Sequence, residues 1–108
     1  MDLVEAIHAV TARFPSDERW ALVQQLRRAA YSIPSNIAEG KAKDTDKEVL
    51  RALYIARGSL AEVETQLEIA IRLRYFERSE ALDLLVRRTS QSLNGYIRYL
   101  KKRIATAR

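Results

Sequence analysis

Residues 49–70, Val49-Leu50-Arg51-Ala52-Leu53-Tyr54-Ile55-Ala56-Arg57-Gly58-Ser59-Leu60-Ala61-Glu62-Val63-Glu64-Thr65-Gln66-Leu67-Glu68-Ile69-Ala70, decide the fold. Val49, Leu53, Ala56, Leu60, Val63, Leu67 and Ala70 recur in alternating steps of four and three. Side chains at that spacing share one stripe of an α-helix and pack along a neighbouring helix at a shallow angle. The flanks bound this helix. Thr45-Asp46-Lys47-Glu48 has the capping-box spacing, in which the Thr hydroxyl meets the Glu amide while the Glu carboxylate reaches back. Arg74–Arg78 reads as a turn. The spacing predicts a helix over 45–73.

Downstream, Ser79 is placed to cap a helix over 79–106, whose stripe is Leu82, Val86, Thr89, Leu93, Tyr96/Ile97, Leu100 and Ile104. The two helices match in length, so they should form a long antiparallel hairpin. Upstream, Leu3, Ile7, Val10 and Phe14 mark a short first helix over 2–13. Phe14-Pro15-Ser16-Asp17 stops it and starts a second helix at Asp17, with Leu22, Leu26, Ala29, Ala30 and Ile33 on one face. Pro34 lacks the amide that would bond Ala30 and crowds that carbonyl. A kink near Pro34 is expected rather than a break, because Ile37 stays in phase with the stripe. Gly40 is expected at the C′ position that ends this helix, with Lys41–Asp44 as a loop. The prediction is an all-α, antiparallel up-and-down four-helix bundle, one domain over residues 1–108.

Composition agrees. The 108 residues are 47% hydrophobic and 31% charged, with three Gly and two Pro, too few turn formers for a sandwich or barrel. At this size a folded monomer exposes roughly 6,100 Å², which allows one core and not two. There is no cysteine, which excludes disulfides, zinc ribbons and thiol nucleophiles. The start Met-Asp-Leu-Val-Glu lacks the basic and apolar regions of a signal peptide, and no apolar run approaches a membrane span. A soluble cytoplasmic protein without membrane partners is expected.

Charge is uneven. Residues 1–83 carry twelve Lys/Arg against fourteen Asp/Glu, whereas residues 84–108 carry seven basic residues and no acid. The whole net charge of +5 therefore sits on the last quarter of the chain, which suggests an anionic partner. Arg87, Asn94, Arg98 and Lys101 step by seven, four and three, with Gln91 and Lys102 beside them, opposite the apolar stripe. Such a face can neutralise phosphates, with Tyr99 near enough in sequence to stack. Arg28, turned away from the stripe of its helix, is a further candidate for phosphate. Arg27 flanks that stripe and should need an acidic partner, Glu62 or Glu64.

A second stripe runs beside the seam in 45–73. Ala52, Ile55, Ser59, Gln66, Ile69 and Leu73 lie along it, with Gly58 at its edge. An exposed glycine inside a helix costs about 1 kcal/mol relative to Ala, and close approach of another copy would explain it. These residues are the expected oligomer interface. Catalysis has little to work with. His8 is the one imidazole, and Glu64 and Glu68 have no His at the spacing a di-iron bundle requires. Glu68 and Arg72 form an ordinary i,i+4 pair. No glycine-rich phosphate loop occurs. No enzymatic activity, metal or cofactor is expected.

The block Gln25-Leu26-Arg27-Arg28-Ala29-Ala30-Tyr31-Ser32-Ile33-Pro34-Ser35-Asn36-Ile37-Ala38-Glu39-Gly40 strongly resembles the four-helix-bundle family of proteins encoded in intervening sequences of 23S rRNA. Leu53–Leu67 and Leu93-Asn94-Gly95 resemble it too. Distant relatives in the family serve as accessory proteins of diversity-generating retroelements. The resemblance implies an up-and-down bundle, a ring-like homopentamer and a basic surface proposed to bind nucleic acid, with no established enzymatic activity. The family's first helix usually begins several residues earlier than this one, so one end of the bundle is expected to be less covered. Together these observations predict a non-catalytic, homo-oligomeric accessory protein that binds RNA or DNA through Arg87, Arg98, Lys101, Lys102 and Arg28. The alternative is a scaffold that docks a protein such as a polymerase without touching nucleic acid.

Overall fold

The computed structural model describes residues 2–15 and 20–107, which form α1 (Asp2–Thr11), α2 (Trp20–Ala42), α3 (Asp46–Arg72) and α4 (Glu80–Thr106). α3 and α4 have 27 residues each, about 40 Å of helix. α1 packs on α2, α2 on α3, α3 on α4 and α4 back on α1, while among the described residues the backbones of the diagonal pairs stay farther apart. That closed cycle is the contact pattern of an up-and-down four-helix bundle. Because α1 has only 10 residues, it covers part of the long α2–α4 flank, and the molecule is elongated, 54 × 24 × 18 Å.

The α3 seam is the spine of the core. Leu53, Ala56, Leu60, Val63 and Ala70 are at most 1% exposed, and they meet Ile7 of α1, Leu26 and Ala30 of α2, and Leu93, Ile97 and Leu100 of α4. Helix limits follow local chemistry. Thr45 caps α3 by accepting the Glu48 amide at 3.2 Å, and Ser79 caps α4 by accepting the Leu82 amide at 3.2 Å. α3 ends in a Schellman arrangement, in which the Tyr75 amide donates to the Ala70 carbonyl and the Arg74 amide to that of Ile71. Arg74 takes the left-handed position there (φ 63°), where glycine is the usual occupant. The turn then folds its aromatics inward. The rings of Tyr75 and Phe76 each lie 5.6 Å from that of buried Phe14, closing the end of the bundle where α1 finishes.

α2 departs from expectation at its C-terminal half. Its expected start at Asp17 lies outside the described residues. The helix runs unbroken through Pro34 to Ala42, and a kink there is not seen as a separate feature. Gly40 does not end it. Gly40 is buried inside the last turns, and the left-handed residue is Asp44 (φ 61°). The glycine serves a close helix approach instead: a Cβ at position 40 would strike the Ala52 methyl and come within 3.0 Å of the Glu48 carbonyl oxygen. α2 therefore lies unusually close to the N-terminal half of α3.

This closeness gives two residues of the expected interface a partner within the chain. Ala52 packs against Gly40, and Ser59 is 8% exposed, accepting the Ser32 hydroxyl at 2.5 Å. Both face α2 of the same chain, because small side chains let α2 wrap beyond the heptad seam. Arg27 is also differently partnered. Its Nε donates to Thr11 Oγ1 at 2.9 Å and its Nη2 to the His8 carbonyl at 3.4 Å, tying α2 to α1 in place of the expected Glu62 or Glu64. A hydroxyl and a carbonyl satisfy the half-buried guanidinium while solvent still reaches it.

Candidate nucleic-acid interface

α4 builds the candidate surface from its own periodicity. Leu82, Leu93, Ile97 and Leu100 anchor one side in the core. At 100° per residue, Arg87, Arg98 and Lys102 then fall on the opposite side with Lys101 on its flank, and all four are exposed. Acids on this helix are confined to Glu80 and Asp83 in its first turn, where they suit the positive end of the helix dipole. Among the described residues, none of the four cations makes an ion pair.

The neighbouring charges are spoken for. Arg78 Nη2 donates to Glu68 Oε2 at 2.6 Å, and Arg72 Nε lies 3.5 Å from Glu68 Oε1. The Arg78 hydrogen bond, helped by Arg72, holds the Glu68 carboxyl below its usual range. This is the expected Glu68–Arg72 pair, extended across the turn toward Asp83. Arg103 donates to Tyr99 Oη at 3.0 Å and pairs with Asp46 at 2.9 Å, which raises its pKa through the Tyr99 hydrogen bond first and the Asp46 charge second. Tyr99 accordingly faces Arg103 and the Tyr96 ring at 6.4 Å, not the basic stripe. Arg28 is exposed on α2, the helix diagonal to α4, so it does not join the α4 face. Arg88 stands apart as well, lining a groove of about 480 Å³ with Leu3, Ile33, Ile37 and Leu93.

Two residues that the sequence reading did not assign to this face adjoin it from α3. Arg57 Nη1 donates to Asn94 Oδ1 at 3.1 Å, and its guanidinium carbon lies 5.1 Å from the centre of the Tyr54 ring. The available signal was the i,i+3 spacing of Tyr54 and Arg57 together with the antiparallel register that sets Arg57 opposite Asn94.

The second stripe of α3 divides. Ile55 (46%), Ile69 (42%) and Leu73 (54%) are exposed, and a Cβ on Gly58 would meet nothing within 4 Å. Gln66 is half-buried, and among the described residues its Oε1 has no hydrogen-bond partner. His8 is exposed, its ring 6.4 Å from that of Tyr31. Among the described residues no helix is long and apolar enough to cross a membrane.

The architecture is that of a small all-α bundle protein whose last helix carries a cationic outer face. The family model for 23S rRNA-intervening sequence proteins matches residues 1–95, and the chain belongs to that family. Among curated proteins, none matches the chain. Arg98, Lys101 and Lys102 lie beyond the matched residues.

Proposed function

We propose that this protein is a non-catalytic, homo-oligomeric accessory protein that binds nucleic acid through the outer face of α4. The observation that carries the reading is the set Arg87, Arg98, Lys101 and Lys102, all exposed on α4 and none in an ion pair among the described residues. Each phosphate such a side chain neutralises releases a condensed counterion, so affinity should fall with log salt at about −0.9 per duplex contact or −0.7 per single-strand contact. Contacts of this kind meet backbone and not base edges, so sequence discrimination should be slight. Replacing Arg98, Lys101 and Lys102 together by Glu should abolish the gel shift of labelled RNA and DNA in low salt while far-ultraviolet circular dichroism stays unchanged. A triple variant that still shifts both like the parent would make the stripe a solvated face only.

Self-assembly is supported by the apolar stripe Ile55, Ile69 and Leu73 and by the total surface. The single chain exposes 7373 Å², against roughly 6,100 Å² for a compact monomer of its mass. The excess is comparable with what one partner contributes to a standard interface, roughly 800 Å². A ring would also repeat the basic face on each copy, so that weak phosphate contacts add through multivalency. Ile69→Lys should dissociate the assembly into helical monomers in sedimentation velocity. A parent protein that sediments as a monomer at micromolar concentration would refute the assembly.

A further inference from the structure

Arg57 is the odd member of the α3–α4 face. It is exposed on a helix rich in acids, yet it rests on an aromatic ring and an amide oxygen and on no carboxylate. Tyr54 backs it at 5.1 Å, and Asn94 holds one of its nitrogens at 3.1 Å. A guanidinium fixed in this way is a flat cation with its direction set in advance, and a planar group can stack on its outer side. Asn94, Arg98 and Lys101 follow one another on the same face of α4 at steps of four and three. The Arg98 side chain reaches back toward the adjoining Gly95, its Nη2 3.8 Å from where a Cβ on that glycine would sit. A stacking platform therefore stands beside two cations without ion-pair partners among the described residues.

We infer that Tyr54, Arg57 and Asn94 form a nucleobase-stacking site that makes the basic face selective for single-stranded nucleic acid. This rests on the proposed function, since the phosphates flanking the stacked base would lie on Arg98 and Lys101. Stacking on an aromatic ring or a guanidinium plane needs an exposed base face, which a loop or single strand offers and a continuous duplex does not. Every base has such a face, so the site tolerates sequence. The 2′-hydroxyl plays no part in stacking, so RNA and DNA single strands should bind alike.

The test is fluorescence anisotropy at one salt concentration with four labelled probes: 15-nucleotide oligouridylate, oligodeoxythymidylate, and a 15-base-pair duplex of RNA and of DNA. The parent should bind both single strands at least about tenfold more tightly than either duplex. Tyr54→Leu and the charge-preserving Arg57→Lys should each weaken single-strand binding about five- to a hundredfold. Both should leave duplex affinity, the salt slope and helicity unchanged. Equal affinity of the parent for strands and duplexes would overturn the inference, as would equal losses on all probes in either variant. If the Arg98/Lys101/Lys102→Glu variant loses every probe while Tyr54→Leu loses none, phosphate binding stands and the stacking site falls. If the parent binds no probe in low salt, both fall. Preference for one sugar in the single strands would overturn the stacking account of selectivity.

Discussion

Leu60→Ala should lower the unfolding free energy by about 2–5 kcal/mol, read as a shift in urea midpoint at fixed protein concentration. Leu60 is 1% exposed at the middle of the α3 seam, with Ala56 and Val63, both 0% exposed, on adjoining turns. Truncation removes three heavy atoms from water-free surroundings and leaves a void. The void cannot easily close, because the core it lies in includes Ala29, Ala30 and Ala56, which have no side chain to swing into it. The slope of the transition should not change, since the surface exposed on unfolding is nearly the same. Glu62→Ala, two residues along on the exposed side, should stay within about 0.5 kcal/mol of the parent. A Leu60→Ala loss below about 1 kcal/mol would mean that the seam is not the centre of the core.

The seam was legible because the period of a buried helix face is written in residue type. Thr45 and Ser79 likewise declared the starts of α3 and α4, since a hydroxyl before an apolar run has a specific local partner, the third amide onward. Residues whose role depends on another helix were not legible. Gly40 carried the signal of a helix end, but glycine answers two needs, a left-handed backbone and a missing Cβ, and here the second applies. Ala52 and Ser59 show the same ambiguity. A small side chain fits a tight contact within the chain or between chains, and its type does not say which. Isoleucine or leucine at 55, 69 and 73 stays exposed, because no neighbouring helix of the chain covers these side chains.

Charges were harder still. Arg87, Arg98, Lys101 and Lys102 are exposed and make no ion pair among the described residues, and no acid follows Asp83 in the sequence to compete for them. The partner of a particular cation depends on distance in space. Arg27 finds Thr11, sixteen residues back on α1, and Arg103 finds Asp46 at the start of α3. Tyr99 looked like a stacking residue by proximity in sequence to Arg98. It is turned to Arg103 and Tyr96 instead, and the aromatic ring beside the basic face comes from Tyr54 on α3.

Gly40→Ala sets local propensity directly against packing. In an exposed helix the change would stabilise by about 1 kcal/mol, since alanine has the higher helix propensity. Gly40 has no positive φ to lose, so the backbone raises no objection. The obstacle is α3. The new methyl would meet the Ala52 methyl and the Glu48 carbonyl oxygen, and neither can rotate away because each is fixed to the backbone. Only a shift of α2 away from α3 makes room, and overpacking of this kind costs about 1–3 kcal/mol. The net result should be destabilisation by about 1–2 kcal/mol, opposite in sign to propensity. Ala52→Gly alone should also destabilise, by about 1 kcal/mol, through lost propensity and lost contact. In the double variant the methyl has moved from α3 to α2 and the main collision is gone. The pair should therefore be more stable than the sum of the single changes, by at least about 1 kcal/mol in a double-mutant cycle read by urea unfolding. A gain in stability from Gly40→Ala, or strict additivity of the two changes, would show that α2 and α3 do not approach at this point. The recovery should also be incomplete, because the Glu48 carbonyl still lies 3.0 Å from the added carbon whatever occupies position 52.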